Sequence, residues 1–274
     1  TRSLRFIFLP LLTAFINHAA AATAPDLGVN TTYGIVSSTF TNNANPTTVT
    51  GSICYTTAPV TPPSTVTGAT VTPCLPLNGT DQDTALANLN GQQCISLGPG
   101  AVALNDANVG SGPGVFSPGC YSSGGAMEVA AGTVTLNGAG VYIFRPGGAF
   151  TMAVGTSVAV GGGACENDVF WTPNAATTLG ANTSLVGNIL GAAGMTLGSS
   201  ASLVGRILSF GGTVTTDQNT ITVPSCTAFI PPSTGAISNI PSLSEWGMTL
   251  LFGLMMLVVF SKTRWAKGVN PRQP

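Results

Sequence analysis

At 274 residues with 44% hydrophobic and only 6% charged content, the chain can bury a full core, and its 35 glycines with abundant Thr and Ser point to turn-rich β structure. Between residues 24 and 239 the only basic residues are Arg145 and Arg206, set against Asp26, Asp81, Asp83, Asp106, Glu128, Glu166, Asp168 and Asp217. That balance offers no basic footprint for phosphates and argues against a nucleic-acid partner.

The N-terminus carries Arg2 and Arg5, then an apolar run over 6–16 and small residues over 19–22, which reads as a secretory signal over 1–23 with cleavage near Ala22. The exported part holds Cys54, Cys74, Cys94, Cys120, Cys165 and Cys226, as expected of disulfides formed in an oxidising compartment. Their spacing leaves the pairing open. No CxxC pair occurs and the only histidine, His18, lies in the signal, so neither a metal site nor a cofactor is expected.

From 26 to 79 the chain is rich in Thr, Asn and Pro, with alternating runs at 33–40 and 47–53 that read as strands capping one end of a larger β body. A helix start follows, with Thr80 as N-cap, Asp83 at N3, Asp81 in the first turn and Asn90-Gly91 as the stop. Ala85, Leu86 and Leu89 share one face. So short a helix is marginal alone and needs a surface to pack on. After an irregular Gly/Pro-rich passage over 94–123, alternation resumes at 127–136, where Thr133 to Leu136 resembles the repeats that follow and would bring Thr135 onto their face.

Over 141–223 a three-part pattern is written four times. Its middle segments start at Ala149, Ala176, Gly194 and Gly212, at offsets of 27, 18 and 18 residues. Short alternating strands at a fixed period, separated by Gly, Asn and Ser turns, predict a β-solenoid in which each period is one coil. Alternation sends three columns inward: Phe144/Trp171/Ile189/Ile207, Met152/Leu179/Leu197/Thr215 and Val158/Leu185/Leu203/Ile221. Outward on the middle strand stand Thr151, Thr178, Thr196 and Val214, flanked by Ala149, Ala176, Gly194 and Gly212 and by Ala153, Gly180, Gly198 and Thr216. This predicts a flat face bearing a threonine ladder. The outward side of the first strand, with Ile143, Phe170, Leu190 and Leu208, is largely apolar and needs a cover, for which the helix is the obvious candidate.

After Cys226, residues 230–239 read as a linker. The tail Ile240, Pro241, Ser242, Leu243, Ser244, Glu245, Trp246, Gly247 leads into an apolar run over 248–260 and a basic end with Lys262, Arg264 and Lys267. This reads as a short transmembrane segment with a cytoplasmic C-terminus. The run is shorter than the roughly 20 residues of a stable span, which suits a transient sorting signal.

The block from Gly132 through the repeats to Thr222, with Asp26-Leu-Gly28 and Pro118-Gly-Cys-Tyr121 ahead of it, resembles the ice-binding protein family of the DUF3494 type over residues 26–226. The resemblance implies a mainly β, irregular β-solenoid with one helix alongside, and ice or an ordered water surface as the partner. The domain then spans 24–229, with cap and helix over 24–123 and regular coils over 124–226. Residues 240–274 resemble an IPTL-CTERM sorting signal in which Ser242 replaces the usual Thr. That implies export in a Gram-negative cell, membrane sorting machinery as a partner, and delivery to the surface or its exopolysaccharide. The family's Thr-Ala/Gly-x-Thr/Asn string occurs only at Thr67-Gly-Ala-Thr70, in the cap.

Three functions compete. Adsorption to ice would use Thr151, Thr178, Thr196, Thr216 and Thr135, or else the third-strand face with Ser157, Ser184, Ser202, Thr220 and Thr222. A surface scaffold or adhesin would use the same solenoid as a spacer. Catalysis is the least supported, because no His or Lys stands between the signal and the tail, and only Glu128, Glu166 and Asp168 offer close acids near the repeats. No catalytic residue is therefore assigned.

Overall fold

The computed structural model describes residues 21–226. The expected signal, up to residue 20, and the expected linker, sorting signal and membrane segment lie outside the described residues. Among the described ones, no helix is long and apolar enough to cross a membrane.

The strands stack in parallel rungs around one apolar core, as the period requires. On the first face the rungs run from Ile95–Gly98 through Gly119–Ser123, Tyr142–Pro146, Val169–Trp171 and Asn188–Leu190 to the start of Ile207–Thr216. They continue into the start of Tyr33–Asn42, then Ser52–Cys54 and Thr70–Val71. The second face stacks Val102–Ala103, Met127–Val129, Phe150–Met152, Thr177–Leu179 and Met195–Leu197 on the second halves of Ile207–Thr216 and Tyr33–Asn42. Those two strands run unbroken around the corner and join both faces into one sheet. The third face is a separate sheet of Val115–Phe116, Thr133–Asn137, Ser157–Gly161, Ser184–Val186, Ser202–Val204, Thr220–Thr222, Thr48–Thr50 and Thr65–Val66. The N-terminal strands therefore do cap one end, and they do so by stacking on the last coil in the sequence.

Two of the inward columns hold throughout. Phe144 pairs with Trp171, Trp171 with Ile189 and Ile189 with Ile207, all fully buried. Val158, Leu185, Leu203 and Ile221 form the other, extended by Val134 and Val49. The middle column holds for Met152, Leu179 and Leu197, then departs from expectation in the last coil. Met195 pairs with Val214 and Thr196 with Thr215, so Val214 faces the core and Thr215 faces out. An extra residue causes the shift. Ile207 to Thr215 is one residue longer than Ile189 to Thr196, and Thr215 to Ile221 is one shorter than Thr196 to Leu203. The period is unchanged while its division among the faces moves by one.

The helix spans Pro76–Gly91, starting earlier than expected. Proline suits the first helical position, where its missing N–H costs nothing, and Asn78 Oδ1 accepts from the Leu75 N–H at 3.1 Å. Thr80 is thus inside the helix, where its hydroxyl turns back to the Pro76 carbonyl. Gly91 is the last helical residue rather than a left-handed cap, and the chain leaves the helix through extended Gln92. The helix covers the apolar outward side of the first face, placing Ala85 and Leu89 against Ile143, Phe170, Leu190 and Leu208.

Two disulfides, Cys54–Cys74 and Cys94–Cys120, tie down the chain on either side of the helix. Cys54 and Cys120 stand on rungs separated by five others, about 29 Å at parallel-sheet spacing. The 16-residue helix spans about 24 Å, and its flanks supply the rest. The third bridge, Cys165–Cys226, fastens the end of the described chain to the turn before Val169–Trp171.

Helix docking is close enough to reverse the usual value of alanine. A Cβ on Gly79 would stand 2.6 Å from the Phe210 ring, whereas one on Gly91 would meet nothing within 4 Å. Alanine is favoured over glycine in a helix by about 1 kcal/mol. We therefore expect Gly91→Ala to stabilise the fold by about 0.5 kcal/mol. Gly79→Ala should destabilise it by about 1–2 kcal/mol through overpacking. Urea midpoints for the two variants test the opposite signs.

Candidate functional site

On the second face, register brings together one outward column: Ala103, Glu128, Thr151, Thr178, Thr196, Thr215 and Thr41. Five threonines thus occupy consecutive rungs, about 4.8 Å apart. Thr178 and Thr196 are exposed, and Thr151, Thr215 and Thr41 are half-buried. Two residues before them stand Ala149, Ala176, Gly194, Thr213 and Thr39, and two residues after stand Ala153, Gly180, Gly198, Asp217 and Asn43. No long or aromatic side chain flanks the ladder within its own strands. Glu128 puts a charge at one end of the array, and Asp217 sits beside the other.

The five hydroxyls donate to no protein group among the described residues, so each can both donate to and accept from water. Each also carries a methyl group. The result is a rigid surface of alternating polar and apolar points at the rung spacing.

Two expected members of this face lie elsewhere. Thr216 is fully buried and points inward in line with Leu197, where its hydroxyl donates to Asn42 Oδ1 at 2.8 Å. The one-residue shift in the last coil turns it from outside to inside. Thr135 lies on the third face, paired with Val115 and Ala159, because Met127–Val129 already supplies the second-face strand of that coil. Thr41 and Thr215, which the period does not mark as outward, take their places. The Thr67-Gly-Ala-Thr70 string bends from the third face to the first, with Thr67 Oγ1 accepting from the Gly51 N–H and Thr70 paired with Ile53.

The third face also carries hydroxyls. Ser157, Ser184, Ser202 and Thr220 share one column with Thr133, Thr48 and Thr65. Thr222 belongs to the next outward column, with Thr50, Val204, Val186, Ala159 and Thr135. Several of these hydroxyls are already engaged: Ser202 donates to the Thr183 carbonyl at 3.3 Å, and Thr48 to Thr220 Oγ1 at 3.5 Å. Three consecutive serines, Ser157, Ser184 and Ser202, also interrupt the threonines of this column, so its methyl array is broken.

The acids do not converge. Glu128 is on the second face, while Glu166 and Asp168 lie in the 3-10 turn Glu166–Asp168 that precedes the first face. Glu166 Oε2 lies 3.1 Å from Cys226 Sγ, a disulfide sulfur with no proton to give and no free pair of thiolates to offer a metal. Arg206 is buried and structural: it donates to the Thr31 carbonyl and to the side chains of Asn167 and Asn188 at 2.7–2.9 Å. Burial lowers its pKa to about 10, which leaves it charged at neutral pH.

A solved ice binding protein from an Antarctic biological consortium is similar, with a TM-score of 0.66 and 22% identity over 76% of this chain and 94% of that one. So is the ice-binding protein of the Antarctic ascomycete Antarctomyces psychrotrophicus, with a TM-score of 0.60 and 25% identity over 73% of this chain and 98% of that one. In sequence, the chain is 26% identical to the ice-binding protein of Nostoc sp. (strain HG1) over 266 residues, 93% of each protein. The family model described as Ice-binding-like matches residues 13–222, and the chain belongs to that family.

Proposed function

We propose that the protein is exported and adsorbs to ice through the threonine ladder of its second face, with Thr151, Thr178, Thr196, Thr215 and Thr41 as the contact residues. The observation that carries this reading is five consecutive rungs of threonine whose hydroxyls are unengaged by protein among the described residues, with no long or aromatic side chain beside them in their own strands. Such an array can hold a layer of water in fixed positions, and a flat face lets that layer merge with a growing crystal. Family membership and the names of the related proteins support the same partner. No catalytic residue, metal or cofactor has a part in this reading. The sequence outside 21–226 supports passage through the inner membrane of a Gram-negative cell and delivery to the surface, with sorting machinery and exopolysaccharide as further partners.

The test is crystal morphology and thermal hysteresis in a cooled solution of the full chain. Faceted, growth-arrested crystals are the expected result. Ordinary discs with no hysteresis would replace this reading with the second one, a surface scaffold or adhesin, which the sorting-signal-like tail favours independently.

A further inference from the structure

Where the end of the helix meets the first face, an accessible cation stands in a concavity among neutral hydrogen-bonding groups. The cavity measures about 180 Å³, and Asn90, Ser122, Ser123, Arg145, Thr172 and Asn174 line it. Arg145 and Arg206 are the only basic residues between 24 and 226, and Arg206 is buried in its own hydrogen bonds. Arg145 is half-buried and pairs with Ser122 on one neighbouring rung, with Thr172 at the matching position on the other. Its Nη1 donates to the Gln92 carbonyl at 2.8 Å and lies 3.3 Å from Cys94 Sγ. Nε and Nη2 donate to no group among the described residues.

Thr172 is 2% exposed, and its buried Oγ1 has no hydrogen-bond partner. Buried hydroxyls are ordinarily paired, so an unpaired one on a residue that lines a cavity favours a ligand with a polar group at that wall. The planar guanidinium fork matches a carboxylate. A carboxylate has only two oxygens, and the hydroxyls and carboxamides around it outnumber them. A ligand that uses both sets carries a carboxylate and several hydroxyls on a small ring.

We propose that this cavity binds a uronate, the carboxylate-bearing class of sugar. The carboxylate lies on Arg145, and the ring hydroxyls meet Thr172, Ser122 and the two asparagines. The site is on the first face, away from the threonine ladder, and does not depend on the ice-adsorption reading.

Titration of the full chain with methyl glucuronide, methyl glucoside and sodium sulfate, followed by backbone amide shifts, tests it. Saturable binding of the glucuronide is expected, with the glucoside and sulfate each at least tenfold weaker. Arg145→Met should weaken the glucuronide at least tenfold. That variant also loses the contact with Gln92, so Thr172→Val provides a second arm. It breaks no hydrogen bond within the protein, and should weaken binding severalfold with an unchanged or raised melting temperature. Absence of saturable binding would overturn the proposal. So would sulfate binding as tightly as the glucuronide, which would mark a site for an anion without sugar recognition. Full binding by folded Thr172→Val would overturn it as well.

Discussion

Thr178→Tyr is expected to abolish ice shaping and thermal hysteresis while leaving the fold intact. Thr178 is exposed at the centre of the ladder, between Thr151 and Thr196, with Ala176 and Gly180 on either side of it in its own strand. A tyrosine there has nothing of its own height to pack against. It would hold the neighbouring threonines away from a flat crystal and displace the water they order. Surface changes away from packed contacts usually shift stability by no more than about 0.5 kcal/mol, so the melting temperature should stay close to wild type. Ser184→Tyr, equally exposed but on the third face, supplies the control. Hysteresis and melting temperature are measured for both variants beside wild type. Loss of activity in Ser184→Tyr alone would move the binding surface to Ser157, Ser184, Ser202 and Thr220. Retention in both would remove the second face as the contact surface.

The fold was legible where alternation and period reinforce each other. Phe144, Trp171, Ile189 and Ile207 are large and apolar at a constant offset, and the structure stacks them. The last coil of the second face was not legible from period alone, because the lengthened corner around Phe210 is compensated by a shorter turn before Ile221. Helix docking accounts for that corner: Phe210 packs on Gly79, and its N–H donates to Gln82 Oε1 at 2.8 Å. Alternation did contain the missing clue. An apolar Val214 between threonines fits the core better than the surface, and placing it inward exposes Thr215 and buries Thr216. Thr41 was beyond reach, since its place in the ladder depends on the N-terminal strand stacking on the last coil, a pairing that no local pattern marks. Pro76 was a readable helix start that the more conspicuous Thr80 and Asp83 obscured.

Trp171→Ala is expected to destabilise the domain by about 3–5 kcal/mol through the cavity alone. The indole is fully buried and lies between two rings, Phe144 and Phe150, each with its centroid 4.3 Å away and nearly parallel. Phe144 in turn stacks on Tyr121, and Phe116 meets both edge-on, so the indole anchors an aromatic cluster built from the first, second and third faces. Truncation also removes the donor of a buried hydrogen bond, because Nε1 reaches the Val186 carbonyl at 2.9 Å. Leaving that acceptor unmet adds about 1–3 kcal/mol. Trp171→Phe separates the two contributions, since it retains a stacked ring and loses only the donor and some volume. A domain of this kind has about 5–15 kcal/mol in total, so Trp171→Ala should lie near the limit of folding and Trp171→Phe well inside it. Denaturant midpoints establish the order: wild type highest, then Trp171→Phe, then Trp171→Ala. A midpoint for Trp171→Ala equal to wild type would show that the indole is not the centre of this cluster, and the inward register of the first face would fall with it.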